Sequence, residues 1–317
     1  MSPFGPAGLL AAVAVVAAGV ADALVGEPPT RVHPVAWFGR AVGAVDRSWR
    51  RPRLVGLLAA LALPLTAAGV VAAVVWAGGL LHPAAAALAA GATLFVSVSR
   101  RMLREEAVAV VDASDDNLAA ARERLPALVG RDPSALDAGE ARSAAVESAA
   151  ENLADGLVAP LLAFAIGATV SLPAAAALAA WVKAVNTMDS MLGYRDEPTG
   201  WAPARLDDAV MFVPARLAAA LLAVAAGRPG TLLAARRYAR KPPSPNSGWP
   251  MAAAAAALDC RLHKPGGYDL FPKRSLPDTA TAADGVAIVD RAGGFAFLLA
   301  AGWCGLLAGR LGGGAWL

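Results

Sequence analysis

From Leu54 to Ser99 the chain carries no Asp, Glu, Lys or Arg. The run is more than twice the roughly 20 residues that an α-helix needs to cross the hydrocarbon core of a bilayer. No other single feature restricts the fold as much, because only helices and closed barrels satisfy their backbone polar groups inside lipid. His82-Pro83 sits within the run as a natural turn, so the run predicts two helices, about 54–80 and 83–99.

Composition points the same way. Hydrophobic residues make up 57% of the chain, mean hydropathy is +0.52, and only 17% of residues are charged. Soluble domains carry about 25% charged residues. Further apolar runs cover 7–26, with Asp22 near its end, and 157–181, interrupted by Pro173. Two more are 209–227, with Arg216 in its middle, and 292–309. No Lys or Arg precedes the first run, so it is not a typical cleavable signal. Asp22 reads as a charge at the membrane edge. The expected fold is all-α: a polytopic membrane protein with five to six membrane segments and a helical cytoplasmic segment. It is read as a single domain over 1–317, with a polar helical insertion at about 100–156 and a polar loop region at about 228–291.

Net charge is +3 with a pI of about 9.1, but the placement of charge says more. The 26–53 loop holds arginines 31, 40, 47, 50, 51 and 53 against Glu27 and Asp46. The positive-inside rule makes that loop cytoplasmic. No basic groove with interleaved aromatic residues appears, which argues against nucleic acid as a partner. Cys260 and Cys304 form no framework, and no Cys or His spacing of a metal site is present. There is no nucleophile elbow, no Walker-type loop and no dinucleotide fingerprint.

The polar segments carry the chemistry. Gly130-Arg-Asp-Pro133 breaks the 100–156 segment, with a helix expected over Asp116–Val129 before it. After the break, Asp137 with Glu140 three residues on has the form of a capping box. A helix from about 138 to 155 then carries Glu147, Glu151 and Asp155 on one stripe, where they repel one another. On spacing alone this is a solvated acidic face. In 183–208, Lys183, Asn186, Thr187 and Ser190 share a helix face, which an interfacial helix end with a snorkelling lysine also explains. The stretches PPSPNSGWP (242–250) and GEPPTRVHPVAWFGR (26–40) read as turn-rich loops.

Five stretches in order carry a family resemblance: GEPPTRVHPVAWFGR, AAVESAAENLADGLVAPL, KAVNTMDSMLGYRDE, WAPARLDDAVMFVPARL and SPNSGWPMAAAAAAL. Over roughly residues 15–305 the chain resembles the adenosylcobinamide-phosphate synthases, the CobD/CbiB family of cobalamin biosynthesis. Leu153 departs from the pattern, which has Thr there. The resemblance implies a ligase that joins aminopropanol, or its phosphate, to the f-propionate of adenosylcobyric acid as an amide, with ATP and Mg²⁺ as cosubstrates. It implies a multi-pass protein of the cell membrane with its site facing the cytoplasm. Implied partners are the corrinoid, the amine, the lipid bilayer, and a second copy or other membrane enzymes of the pathway.

Such chemistry needs acids for metal ions on phosphates and cations for substrate anions. The resemblance therefore raises Glu147, Glu151 and Asp155 to metal or acid–base candidates, with Asn152, Asn186 and Asp189 as polar positioners. Lys183, Arg195 and Arg205 become candidates for phosphate or propionate. His33, Asp207, Asn246 and Trp249 join the substrate-binding candidates, Trp249 by stacking on the corrin. Two other classes compete: a non-catalytic membrane sensor related to β-lactamase induction, and a transporter, for which Pro173 and Arg216 are weak signs.

Topology poses a conflict. If 157–181 is one span, 183–208 lies across the membrane from the acid stripe. If the chain turns at Pro173, with arms of roughly 157–171 and 174–190, both motifs reach one face. The hairpin is the reading adopted, because one active site has to collect both motifs.

Overall fold

Prolines and capping side chains set many of the helix starts. Pro34, Pro52 and Pro83 each open a helix at a first position, where the missing N–H has no helical partner to lose. In the computed structural model, residues 7–128, 132–194 and 197–311 are described. The helices are α1 (Ala7–Val25), α2 (Pro34–Gly43), α3 (Pro52–Leu81), α4 (Pro83–Ser97), α5 (Arg100–Asp116), α6 (Leu118–Arg124) and α7 (Ala138–Leu153). A π turn (Ala154–Val158) leads into α8 (Ala159–Gly167), followed by α9 (Leu172–Leu192), α10 (Trp201–Val210) and α11 (Phe212–Ala225). The chain continues through α12 (Thr231–Arg236), α13 (Gly248–Leu258) and a small antiparallel hairpin, β1 (Leu262–Lys264) and β2 (Tyr268–Leu270). It then enters α14 (Thr279–Leu311). The all-α expectation holds. Five of these helical stretches are long and apolar enough to cross a membrane: Gly8–Val25, Pro52–Leu81, Pro83–Asp116, Ala138–Gly167 and Thr279–Ala308. A sixth follows if α10 and α11 count as one span.

The chain divides into two compact units, each assembled from separated stretches. The first comprises Met1–Ser99, Ala159–Val210 and Phe297–Leu317; the second comprises Arg100–Val158 and Met211–Ala296.

In the first unit, α1 packs on α4, and α3 packs on α4 and α9. Its packing is that of a protein in lipid. Small residues face inward, among them Ala11, Ala14, Ala59, Ala60, Ala86 and Ala90, while Leu57, Leu61, Leu65, Val70, Trp76 and Leu80 point outward. Helices in a bilayer approach closely through small residues and leave large apolar side chains to the lipid. His82 makes the turn between α3 and α4, with an extended backbone and its Nδ1 accepting the Ala84 N–H at 3.1 Å. The expected pair of helices, 54–80 and 83–99, is thus present to within two residues.

The conflict at 157–190 resolves as a hairpin. α8 ends at Gly167 and the chain turns over 168–170. Ser171 then caps α9 by accepting the Ala174 N–H, with Pro173 in the first turn. α9 packs back along α8, and Gly167 permits the approach: a Cβ there would lie 2.5 Å from the Ala174 carbonyl oxygen. α9 has 21 residues against 9 for α8, so its polar end, from Lys183 onward, runs past the level at which α8 begins.

The second unit places α7 against α5, α13 and β1, and packs α11 on α13 and on the π turn. The capping box at α7 has both halves: Asp137 accepts the Glu140 N–H at 2.8 Å and Glu140 accepts the Asp137 N–H at 3.0 Å. Arg142 ties α7 to its neighbours by donating to Pro277 O and Ser114 Oγ and pairing with Asp115.

Three expectations are corrected here. The helix placed at Asp116–Val129 is shorter: α6 covers Leu118–Arg124, a 3-10 turn follows over Leu125–Ala127, and Val129 lies outside the described residues. α5 runs from Arg100 to Asp116, burying Leu103, Ala107, Val110 and Val111, and Asn117 breaks it and caps α6 by accepting the Ala120 N–H. The 209–227 run is broken at Met211, and α11 begins after it with Pro214 in its first turn. The last helix begins at Thr279 rather than 292, because Asp278 accepts the Thr281 N–H and caps it.

Candidate active site

α7 buries one of the acids of the stripe and leaves the others partly exposed. Glu147 is only 3% exposed, and Glu151, Asn152 and Asp155 are half-buried. Both Glu147 oxygens accept hydroxyl hydrogen bonds. Ser143 Oγ donates to Oε1 at 2.6 Å, and Tyr268 OH donates to Oε2 at 2.6 Å. Ser143 is itself fixed by the His263 N–H, which donates to its oxygen at 2.7 Å. The β-hairpin thus holds Glu147 twice, through the backbone at His263 and through the Tyr268 side chain. Asn152 donates back to the Ser148 carbonyl at 3.0 Å. Asp155 sits in the π turn, whose extra residue per turn takes it off the regular stripe of Glu147 and Glu151. Such bulges recur at functional sites.

Tyr268 and Ser143 were not among the residues singled out from sequence. The available signal was Pro265-Gly266-Gly267, a three-residue hairpin loop with Gly266 at φ +70, which places Tyr268 opposite Lys264.

The loop 242–250 roofs a second feature of the same unit. Asn246 is 3% exposed, and its Oδ1 accepts Arg216 Nη1 at 2.9 Å. Trp249 is half-buried, with the Arg216 guanidinium 5.1 Å from its ring centroid. Gly248 is required there: a Cβ would stand 2.1 Å from the Ala239 carbonyl oxygen.

The remaining candidates lie in the first unit. His33 caps α2 by accepting the Val35 N–H at 3.2 Å. Burial pushes its imidazole below the ordinary value; the Lys183 charge adds to this and the Glu27 charge opposes it. Lys183 and Thr187 line a largely apolar cavity of about 320 Å³ among α2, α3, α4 and α9. Asn186 is half-buried, and its backbone carbonyl accepts the Ser190 hydroxyl. Asp189, near the polar end of α9, is pushed up to about 6, chiefly by burial and then by the Asp208 charge. Asp207 is buried, while Arg205 is exposed and pairs with Asp208 at 3.1 Å. Arg195 lies outside the described residues.

Among the described residues, no three His, Cys, Asp or Glu side chains gather as a metal site of protein ligands alone. Mg²⁺ ordinarily takes one or two carboxylates and completes its shell with water and substrate phosphates. Glu147, Glu151 and Asp155 supply carboxylates of that kind, and both oxygens of Glu147 also accept hydroxyls.

Residues 15–290 match the family model described as CobD/Cbib protein. The cobalamin biosynthesis protein CobD of Rhodobacter capsulatus is 40% identical over 307 residues, covering 89% of this chain and 93% of the relative. The probable cobalamin biosynthesis protein CobD of Methanothrix thermoacetophila is 36% identical over 300 residues, covering 88% and 92%. The cobalamin biosynthesis protein CobD of Pelobacter propionicus is 37% identical over 282 residues, covering 84% and 85%. No solved structure matches the chain.

Proposed function

The chain belongs to the CobD/Cbib family, and from that premise we propose that it is a membrane enzyme of cobalamin biosynthesis that forms the amide between adenosylcobyric acid and aminopropanol or its phosphate. The observation that supports a catalytic reading most is the burial of Glu147 on α7. A solvated face would leave Glu147 in water, whereas it is enclosed and held through both oxygens.

The reaction needs activation because a carboxylate is a poor electrophile. In the proposed course a propionate oxygen attacks the terminal phosphorus of ATP, and ADP leaves. The amine nitrogen then attacks the carbonyl carbon, phosphate leaves, and the nitrogen gives up a proton. Mg²⁺ would neutralise phosphate charge during the first transfer. Glu151 and Asp155 would hold it, with Glu147 kept in place by Ser143 and Tyr268. The six arginines of 26–53 support a cytoplasmic face for that loop, where ATP is present.

The test is direct. Purified protein with adenosylcobyric acid, Mg·ATP and aminopropanol phosphate, or aminopropanol, should yield a product whose mass equals the two joined less water. No product with either amine would sink the proposal and leave the sensor and transporter classes.

A further inference from the structure

Arg216 lies on an apolar helix, and a charge in such a place is a functional candidate by default. Its guanidinium carbon is 3.6 Å from the Phe212 ring centroid and 5.1 Å from that of Trp249. Nη1 donates to the Phe212 carbonyl at 2.6 Å and to Asn246 Oδ1 at 2.9 Å. All of these partners are neutral. Among the described residues no carboxylate pairs with Arg216, and Nε and Nη2 have no acceptor.

A half-buried guanidinium whose partners are all neutral is a place where an anion would compensate the charge. The guanidinium is also pre-set for one. Two rings fix its plane and Asn246 holds one edge, so the edge bearing Nε and Nη2 presents the fork that binds an oxyanion through two parallel bonds.

We propose that this edge of Arg216 is an oxyanion site that takes a carboxylate or phosphate. In the ligase reading, on which the assignment of a substrate anion rests, the group belongs to the corrinoid propionate or to aminopropanol phosphate. A phospholipid headgroup offers the same chemistry. α11 packs on the π turn that carries Asp155, so the anion site and the α7 acids belong to one unit.

The experiment uses the full chain in uncharged phosphatidylcholine nanodiscs. Thermal shift and calorimetry are recorded with aminopropanol phosphate, adenosylcobyric acid and inorganic phosphate, and again in nanodiscs containing phosphatidylglycerol. Arg216→Gln should weaken anion binding by about tenfold or more, the scale of a lost charge-assisted pair, and Arg216→Lys should recover part of it. Asn246→Asp guards against a folding defect, because the new carboxylate can keep the bond to Nη1 while neutralising the guanidinium charge, and it should also weaken anion binding. Arg216-dependent stabilisation by the soluble anions assigns the site to substrate. The same stabilisation by phosphatidylglycerol alone assigns it to a headgroup. Unchanged binding of every anion in both Arg216→Gln and Asn246→Asp overturns the site. Wild-type protein that binds anions through Arg216 but forms no amide would overturn the ligase reading and leave the site standing. Normal amide formation with unchanged binding in both variants would do the reverse.

Discussion

Tyr268→Phe isolates the contact by which the β-hairpin holds Glu147. The ring stays and one hydroxyl goes, so Glu147 Oε2, on a side chain 3% exposed, loses a donor at 2.6 Å. A hydrogen bond to a charged group contributes about 1.5–3 kcal/mol, and a buried acceptor short of a partner costs a similar amount. The opposing effect is small: like-charge repulsion along α7 is worth only about 0.2–0.5 kcal/mol per pair. The hydroxyl loss therefore wins, and the melting temperature should fall by several degrees. Tyr238→Phe is the control, since Tyr238 contributes a ring contact with Phe271 at 4.3 Å and, among the described residues, no hydroxyl bond. A double-mutant cycle with Glu147→Gln assigns the loss to the pair. Contacting residues in one network couple by about 0.5–3 kcal/mol. An unchanged melting temperature in Tyr268→Phe, or a coupling near zero, would refute the claim that the hairpin positions Glu147.

Other outcomes follow from particular contacts. The Asp189 carboxyl is raised from 3.8 to about 6, so between those values the folded state binds more protons than the unfolded one. Stability should therefore decline as pH rises through that window, by at most about 3 kcal/mol, and Asp189→Asn should flatten the decline in a melting series. Gly167→Ala drives a Cβ against the Ala174 carbonyl at 2.5 Å and should cost roughly 1–3 kcal/mol, read as lost folded protein or a lower melting temperature. Ser48→Cys, on the exposed arginine-rich loop and with Cys260 and Cys304 replaced, should resist a membrane-impermeant thiol reagent in intact cells and react after lysis.

The legible parts of the fold are those whose signal is local. His82-Pro83 marks a turn because both residues act on their own backbone, and Asp137 with Glu140 closes a capping box within one turn. α5 falls inside the stretch read as a polar helical insertion, but its own bounds carry little signal, because its buried apolar residues, Leu103, Ala107, Val110 and Val111, are set among charged ones. The break at Met211 is signalled only by Pro214 three residues later, which cannot pair with the Val210 carbonyl, and the apolar run hides it. Within the site, Glu147 could be found from its motif, but Tyr268 is 121 residues away, and only the fold brings its hydroxyl to the carboxylate. Arg216 was visible as an intramembrane charge; the two rings and the Asn246 amide that orient it come from α11 and a loop some thirty residues later.

The central claim is amide formation through an activated carboxylate, and a heavy-oxygen label tests it most directly. Adenosylcobyric acid labelled at the f-carboxylate is turned over by purified protein with Mg·ATP and the amine, and the product and phosphate are weighed by mass spectrometry. The account predicts one labelled oxygen retained in the amide and one transferred to inorganic phosphate, with turnover falling by orders of magnitude in Asp155→Asn. Unlabelled phosphate beside a normal amide product would contradict the activation step, and unimpaired turnover in Asp155→Asn would contradict the role of the acid.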